Sequence, residues 1–232
     1  MPISPSRLAG IALFDGIHGS DLDILYQNAR ERTHAAGATI IYQEDPGNAL
    51  YLITTGTVKI SYTLLSGNEV YLALLAAGDT VGEMSLIDAS CRSANVIALE
   101  RTELIIIDRE IFNRLLEDSP VFSRNLMRIL ARRLRLANVR IQAHCALDTY
   151  GMVAFQLLEF AELYGEDVDG GSRYIPVRLT QGDISQLVGA TRERVNKVMS
   201  TYRKTGILSV DKNYHITIHR ATDLRKRAEQ IS

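Results

Sequence analysis

Between Gly37 and Asp108 the apolar residues fall in short β-branched runs separated by glycine-bearing turns. Gly37, Gly47, Gly56, Gly67 and Gly78 follow one another at steps of 10, 9, 11 and 11 residues. The runs between them are Ala38–Tyr42, Leu50–Thr54, Thr57–Tyr62 and Val70–Leu75, with two more over Ser93–Leu99 and Glu103–Asp108. Strands this short, at this spacing, predict an antiparallel sandwich or barrel. Asp45-Pro46-Gly47-Asn48 and Ser66-Gly67-Asn68 supply the turn chemistry. A short helix is predicted before the strands, over Ser20–Ala29.

From Arg109 the period changes. Glu110–Glu117 reads as a helix, and Pro120–Leu147 as a much longer one with its proline in the first turn and no glycine inside. Met127, Leu130, Leu134, Ala137, Ile141 and His144 recur at alternating steps of 3 and 4, the seam of a coiled coil. Arg128, Arg132, Arg133, Arg135 and Arg140 point elsewhere on this pattern. So narrow a stripe favours pairing with a second copy of the chain over packing on the chain's own barrel. Asp148–Gly151 reads as a joint, Met152–Tyr164 as an amphipathic helix, Gly165–Ser172 as a flexible acidic loop, and Tyr174–Leu179 as an edge strand because of Pro176. The expected organisation is therefore α+β: a β-rich domain over residues 1–119, a dimerisation helix and hinge over 120–148, and a helical domain over 149–232.

Residues 179–208 hold the most specific pattern. Thr180 caps a helix whose third residue is Asp183, Gly189 suits the left-handed turn that ends it, and Thr191 caps a second helix. Val195, Val198 and Met199 face the first helix and leave Arg192, Glu193, Asn196 and Lys197 free. This is a helix-turn-helix, and strands at Ile207–Val210 and His215–Ile218 would add a wing. Arginine forks onto guanine O6 and N7, glutamate accepts from cytosine N4, and lysine reaches guanine or phosphate. Arg203, Lys204 and Lys212, with Thr180 and Thr191 at the helix starts, suit phosphate contacts.

Charge agrees with a polyanion partner at this end. From Ser172 onward there are 12 Lys+Arg against 5 Asp+Glu, a balance of +7; the chain totals of 26 and 27 leave 14 against 22, or −8, for residues 1–171. With 46% hydrophobic and 23% charged residues the chain is not a disordered one. It holds no apolar run of membrane-spanning length, and the stretch MPISPSRLAGIALFDG lacks the features of a secretory leader, so a cytoplasmic protein is expected. Cys91 and Cys145 make neither a disulfide framework nor a metal spacing. No nucleophile–base pair or P-loop is present, so no enzyme, catalytic cofactor or metal is expected.

The second motif is Gly82-Glu83-Met84-Ser85, followed after six residues by Arg92-Ser93-Ala94. Gly82 allows close backbone approach, a helix starting after it would aim N–H groups at an anion, and Arg92 and Ser93 offer donors to a phosphate. Glu83 is an acceptor that suits a ribose 2′-hydroxyl, and together these groups describe a cyclic nucleotide. A plain Glu83–Arg92 ion pair at a turn is the alternative.

The two motifs, in this order around a long helix, resemble the cyclic AMP receptor protein/FNR family of bacterial transcription regulators. The resemblance runs from about Leu13 to Ile218 and rests on GEMS and RSA at 82–94, ARRL at 131–134 leading to LD at 147–148, and LTQGDISQLVGATRERV at 179–195. It implies a cyclic-nucleotide-binding β-roll (jelly roll), a dimerising central helix and a C-terminal winged helix-turn-helix. It also implies a homodimer on a near-palindromic site that contacts RNA polymerase. Gly82, Glu83, Arg92 and Ser93 match the family's phosphate and ribose contacts, and Arg192, Glu193 and Lys197 its base readers, which implies a TGTGA-like half-site. Where cyclic-AMP-responsive members carry Thr-Ser for the adenine, the second residue acting from the partner subunit, this chain has Ala137-Asn138. Cyclic AMP leads as effector, with another nucleotide or a vestigial pocket as alternatives; a module regulating a partner protein fits the basic helix-turn-helix poorly. The iron–sulfur branch needs cysteines before Cys91, and the haem branch would rely on His18 or His34.

Overall fold

The computed structural model describes residue 8 and residues 11–67 and 69–229. Asn68 of the predicted turn, and residues 1–7, 9 and 10 of the N-terminal stretch, lie outside them. The chain divides into two compact units, Met1–Leu134 and Arg135–Ser232.

In the first unit, after a 3-10 turn at Ala12–Phe14 and helix α1 (Ser20–Asn28), eight strands form two antiparallel sheets. One has the order β1-β8-β3-β6, from Arg30–His34, Thr102–Asp108, Ala49–Thr55 and Thr80–Val81. The other has the order β2-β7-β4-β5, from Thr39–Ile41, Asn95–Ala98, Thr57–Thr63 and Glu69–Ala76. The non-sequential orders are those of a roll. Leu50 opposite Ile107 and Leu52 opposite Ile105 carry the first sheet into one core; Val58, Val96 and Ile53 close a second. Strand β1 is absent from the sequence-based expectation. Its residues, RERTH, are polar and mostly exposed, because it lies at a sheet edge where only the backbone ladder with β8 is required.

Helix α2 (Met84–Ile87) follows the Gly82 turn, and α3 (Arg109–Asp118) buries Phe112 and Leu115. Helix α4 runs over Pro120–Ala146, close to the predicted span. Its first turns are anchored in the core: Phe122 meets Phe14 and Phe112, and the Asn125 amide donates to the carbonyls of Leu13 (3.2 Å) and Asp15 (2.7 Å). Fully burying an apolar side chain such as Phe122 contributes about 1.5–3 kcal/mol.

The second unit holds the end of α4, α5 (Thr149–Tyr164), β9 (Glu166–Val168), β10 (Ser172–Ile175), α6 (Gln181–Val188), α7 (Arg192–Lys204), β11 (Leu208–Val210), β12 (Ile216–Ile218) and α8 (Ala221–Ala228). The stretch expected as a joint is the start of α5, with Asp148 accepting from the Gly151 N–H at 2.8 Å. The expected acidic loop is a hairpin: β9 pairs β10 around a 3-10 turn at Asp169–Gly171. Nor is β10 an edge, since it lies between β12 and β9 in the sheet order β11-β12-β10-β9. The strand ends at Ile175, so Pro176 never has to donate to the ladder. Among the described residues no helix is long and apolar enough to cross a membrane.

Candidate functional site

Gly82 is the pivot of the first constellation. Its φ of +89° favours glycine, and a Cβ there would lie 2.4 Å from Arg92 Nη1. The Arg92 guanidinium is buried. Nη1 donates to the Gly82 carbonyl at 2.6 Å and Ser85 Oγ at 2.9 Å, and Nη2 to the Ala49 carbonyl at 2.7 Å. These bonds use three of its five N–H groups and leave Nε–H and one Nη2–H without an acceptor among the described residues. Burial lowers its pKa from the usual guanidinium value, while Tyr51 and Glu83 act in the opposite direction. Arginine titrates so high that the group stays charged.

Glu83 is buried too. Oε1 accepts from Arg133 Nη1 at 2.7 Å, and Arg133 Nη2 donates to the Thr80 carbonyl at 2.6 Å. Oε2 is buried with no hydrogen-bond partner. Arg133 therefore points off the predicted seam and onto the roll. The partner of the Glu83 carboxylate is this helix arginine, not Arg92, so the simple Glu83–Arg92 ion pair at a turn is absent. Of the other predicted residues, Ser85 is buried on Arg92, while Met84 and Ser93 are exposed and meet at 3.9 Å between Ser93 Oγ and Met84 Sδ.

Along α4 the predicted stripe is mixed. Met127, Leu134 and Ile141 are 62%, 64% and 63% exposed, and Ala137, Asn138 and His144 are exposed as well. Leu130 instead packs against the first unit's core. In the second unit Arg140 is also engaged, holding the buried Glu159 carboxylate through Nη2 (2.5 Å) and Nε (3.2 Å).

The helix-turn-helix forms as its local chemistry predicts. Asp183 N–H donates to Thr180 Oγ1 at 3.1 Å, Thr180 N–H donates to Asp183 Oδ2 at 2.9 Å, Gly189 is left-handed at φ 64°, and Arg194 N–H donates to Thr191 Oγ1 at 3.3 Å. Val195, Val198, Met199 and Tyr202 are buried, and Arg192, Glu193, Asn196, Lys197, Arg203 and Lys204 are exposed. Asn196 Oδ1 accepts from Gln181 Nε2 at 3.3 Å. Buried Tyr202 donates its hydroxyl to the Tyr150 carbonyl at 2.9 Å and has its pKa pushed up to about 12 by burial. A groove of about 520 Å3 between helices and wing gathers Thr180, Gln181, Arg192, Arg203, Asp211, Lys212 and Tyr214. Three cations against one carboxylate on a concave surface suit a phosphate backbone. Among the described residues no cluster of three or more His, Cys, Asp or Glu is placed to hold a metal ion.

A roll carrying a buried arginine–glutamate cassette, joined through one long helix to a basic helix-turn-helix, defines a class: transcription regulators with a sensor domain. The comparisons agree. Residues 31–119 match the cyclic nucleotide-binding domain and residues 153–227 the Crp-like helix-turn-helix domain. The chain is 32% identical over 204 residues to a CRP-like cAMP-activated global transcriptional regulator of Mycobacterium tuberculosis, covering 88% of this chain and 91% of that one. It is 33% identical over 201 residues to a cyclic AMP receptor protein of Thermus thermophilus, covering 87% and 89%. Its fold matches the structure of FixK2 from Bradyrhizobium japonicum with a TM-score of 0.76 at 22% identity, over 86% of this chain and 96% of that one. This chain belongs to the CRP/FNR family of transcription regulators, and its relatives are regulators and not enzymes.

Proposed function

We propose that the chain is an effector-responsive, DNA-binding homodimer. A cyclic nucleotide, cyclic AMP first, enters the β-roll, and the paired recognition helices read a palindromic TGTGA-like site. The setting is cytoplasmic, with RNA polymerase as partner. The observation that carries the effector half is Glu83 Oε2, a buried acceptor without a partner, close enough for its charge to be felt by the Arg92 guanidinium. An orphaned buried acceptor is costly, and a ribose 2′-hydroxyl would satisfy it. The unused Arg92 donors would then face the neighbouring phosphodiester. Two relatives are named for cyclic AMP, which supports that nucleotide.

The homodimer rests on the exposed apolar face of Met127, Leu134 and Ile141, which a second copy would cover. The DNA half rests on Arg192, Glu193 and Lys197 standing exposed on one helix above a basic groove. Lysine lacks arginine's planar fork, so its base contact is the less selective of the three. One observation favours a second reading, a different cyclic nucleotide: Ala137 offers no hydrogen bond, whereas Asn138 offers both donor and acceptor to a purine edge.

The test is fluorescence anisotropy on a TGTGA palindrome, with and without cyclic AMP or cyclic GMP, for the native chain and Arg92→Ala. Nucleotide should tighten DNA binding of the native chain and leave the variant unchanged. Equal DNA affinity with and without either nucleotide would remove the switch, and an unaltered nucleotide response in Arg92→Ala would remove the pocket.

A further inference from the structure

We propose that Arg109 is a positioning residue of the nucleotide site, a staple that holds the two backbone segments on which Arg92 is mounted. The inference rests on the cyclic-nucleotide reading of that site. Arg109 is the first residue of α3. Its Nη2 donates to the Gly47 carbonyl at 2.6 Å and to the Ser85 carbonyl at 2.9 Å. Its Nε adds a second bond to Gly47 at 3.2 Å, Nη1 reaches the Leu86 carbonyl at 3.4 Å, and its own backbone N–H donates to Asn48 at 2.9 Å. One side chain thus bridges the turn before β3 to helix α2, more than sixty positions from one segment and more than twenty from the other.

The guanidinium of Arg92 takes its hydrogen-bond acceptors from the neighbourhood of these two segments: the Ala49 carbonyl on one side, and the Gly82 carbonyl and Ser85 hydroxyl on the other. The segments approach closely where the staple spans them: a Cβ on Gly47 would lie 2.1 Å from Ser85 Oγ. A site that binds an anion with a few donors loses affinity steeply when those donors drift, because the fork must meet both phosphate oxygens. All the side-chain acceptors of Arg109 are neutral carbonyls. Its charge is therefore not cancelled by them, and it adds to the positive field of Arg92. The fall in the Arg92 pKa has the Arg109 charge among its causes, after burial. Because the staple acts at the phosphate end, removing it should weaken all cyclic nucleotides alike.

The experiment is isothermal titration calorimetry of the full chain with cyclic AMP and with cyclic GMP, on the native protein, Arg109→Ala and Arg109→Lys. Hydrogen exchange is followed in parallel. Arg109→Ala should lose at least tenfold in affinity for whichever nucleotides the native chain binds, by the same factor for each. Arg109→Lys should lose less, since a lysine keeps the charge and can reach a single carbonyl. Amides of residues 84–87 should exchange faster in Arg109→Ala while those of β3 and β8 keep their protection, which a general loss of stability would not produce. If Arg109→Ala fails to fold, Arg109→Lys decides. Affinity within twofold of native in a folded variant, or a changed preference between the two nucleotides, overturns the staple and leaves the nucleotide site standing. A native chain that binds neither nucleotide overturns the site, and the staple falls with it.

Discussion

Arg133→Ala isolates the energetics of the Glu83 carboxylate. In the native structure Arg133 donates to Glu83 Oε1 at 2.7 Å and to the Thr80 carbonyl at 2.6 Å. The Glu83 side chain is 5% exposed and that of Arg133 30%. Removing one partner of a fully buried pair costs about 3–5 kcal/mol, because the survivor is left charged and dry. Water reaches the arginine side here, so the loss should be about 2 kcal/mol. That corresponds to a fall of about 30-fold in the protection of amides that exchange through opening of the unit. Native-state hydrogen exchange on β3 and β8 reads this directly and is blind to the second unit. The double variant Glu83→Gln/Arg133→Ala should recover most of the protection, since no buried charge is then left without a partner. Protection within twofold of native in Arg133→Ala would refute the reasoning, and would mean that the Glu83 carboxylate is solvated rather than held by the helix.

Arg192→Ala should cost about 1–3 kcal/mol on the preferred DNA and relax the requirement at one base position; an equal loss on random DNA in a competition titration would reduce Arg192 to a phosphate contact. Leu134→Glu/Ile141→Glu places charge on two of the most exposed apolar positions of α4 and should convert the proposed dimer to a monomer by sedimentation equilibrium, with loss of palindrome binding. A variant that remains dimeric would move the interface elsewhere.

The local features of this protein were readable in the sequence, and the distant ones were not. The helix-turn-helix rests on contacts spanning a few residues: a capping box at Thr180 and Asp183, a left-handed Gly189, a cap at Thr191. Residue order alone carries that information. Strand β1 escaped because RERTH has no apolar alternation; it is a strand through its pairing with β8, about seventy residues later. The β9–β10 hairpin escaped because Asp and Gly at its turn read as loop while the pairing partner was invisible. The roles of Arg133 and Arg109 escaped for the same reason. Each side chain is defined by carbonyls or a carboxylate 23 to 62 residues away. The ARRL stretch placed Arg133 within a motif, and the heptad pattern placed it off the seam without saying what it would meet there. A periodicity describes one neighbour surface, and a helix with two neighbours needs two stripes.

The bonds of Arg92 bear on how such a site could switch. An effector shifts a two-state equilibrium only by the difference in its affinity for the two states. Arg92 already has its orientation fixed by Gly82, Ser85 and Ala49, with two donors in reserve. On the proposed reading a phosphate would meet those donors without breaking a protein bond, so this preorganised end would discriminate little between two states. Discrimination must then come from groups whose arrangement differs between states. On the proposed nucleotide reading Glu83 is the candidate, because one of its oxygens is held by Arg133 of α4 and the other has no protein partner. Satisfying Oε2 changes the charge distribution felt by that helix arginine, and α4 is the segment through which the chain passes from the first unit to the second. On the proposed cyclic-nucleotide reading, phosphate contacts would supply affinity and a ribose contact at Glu83 would supply the switch.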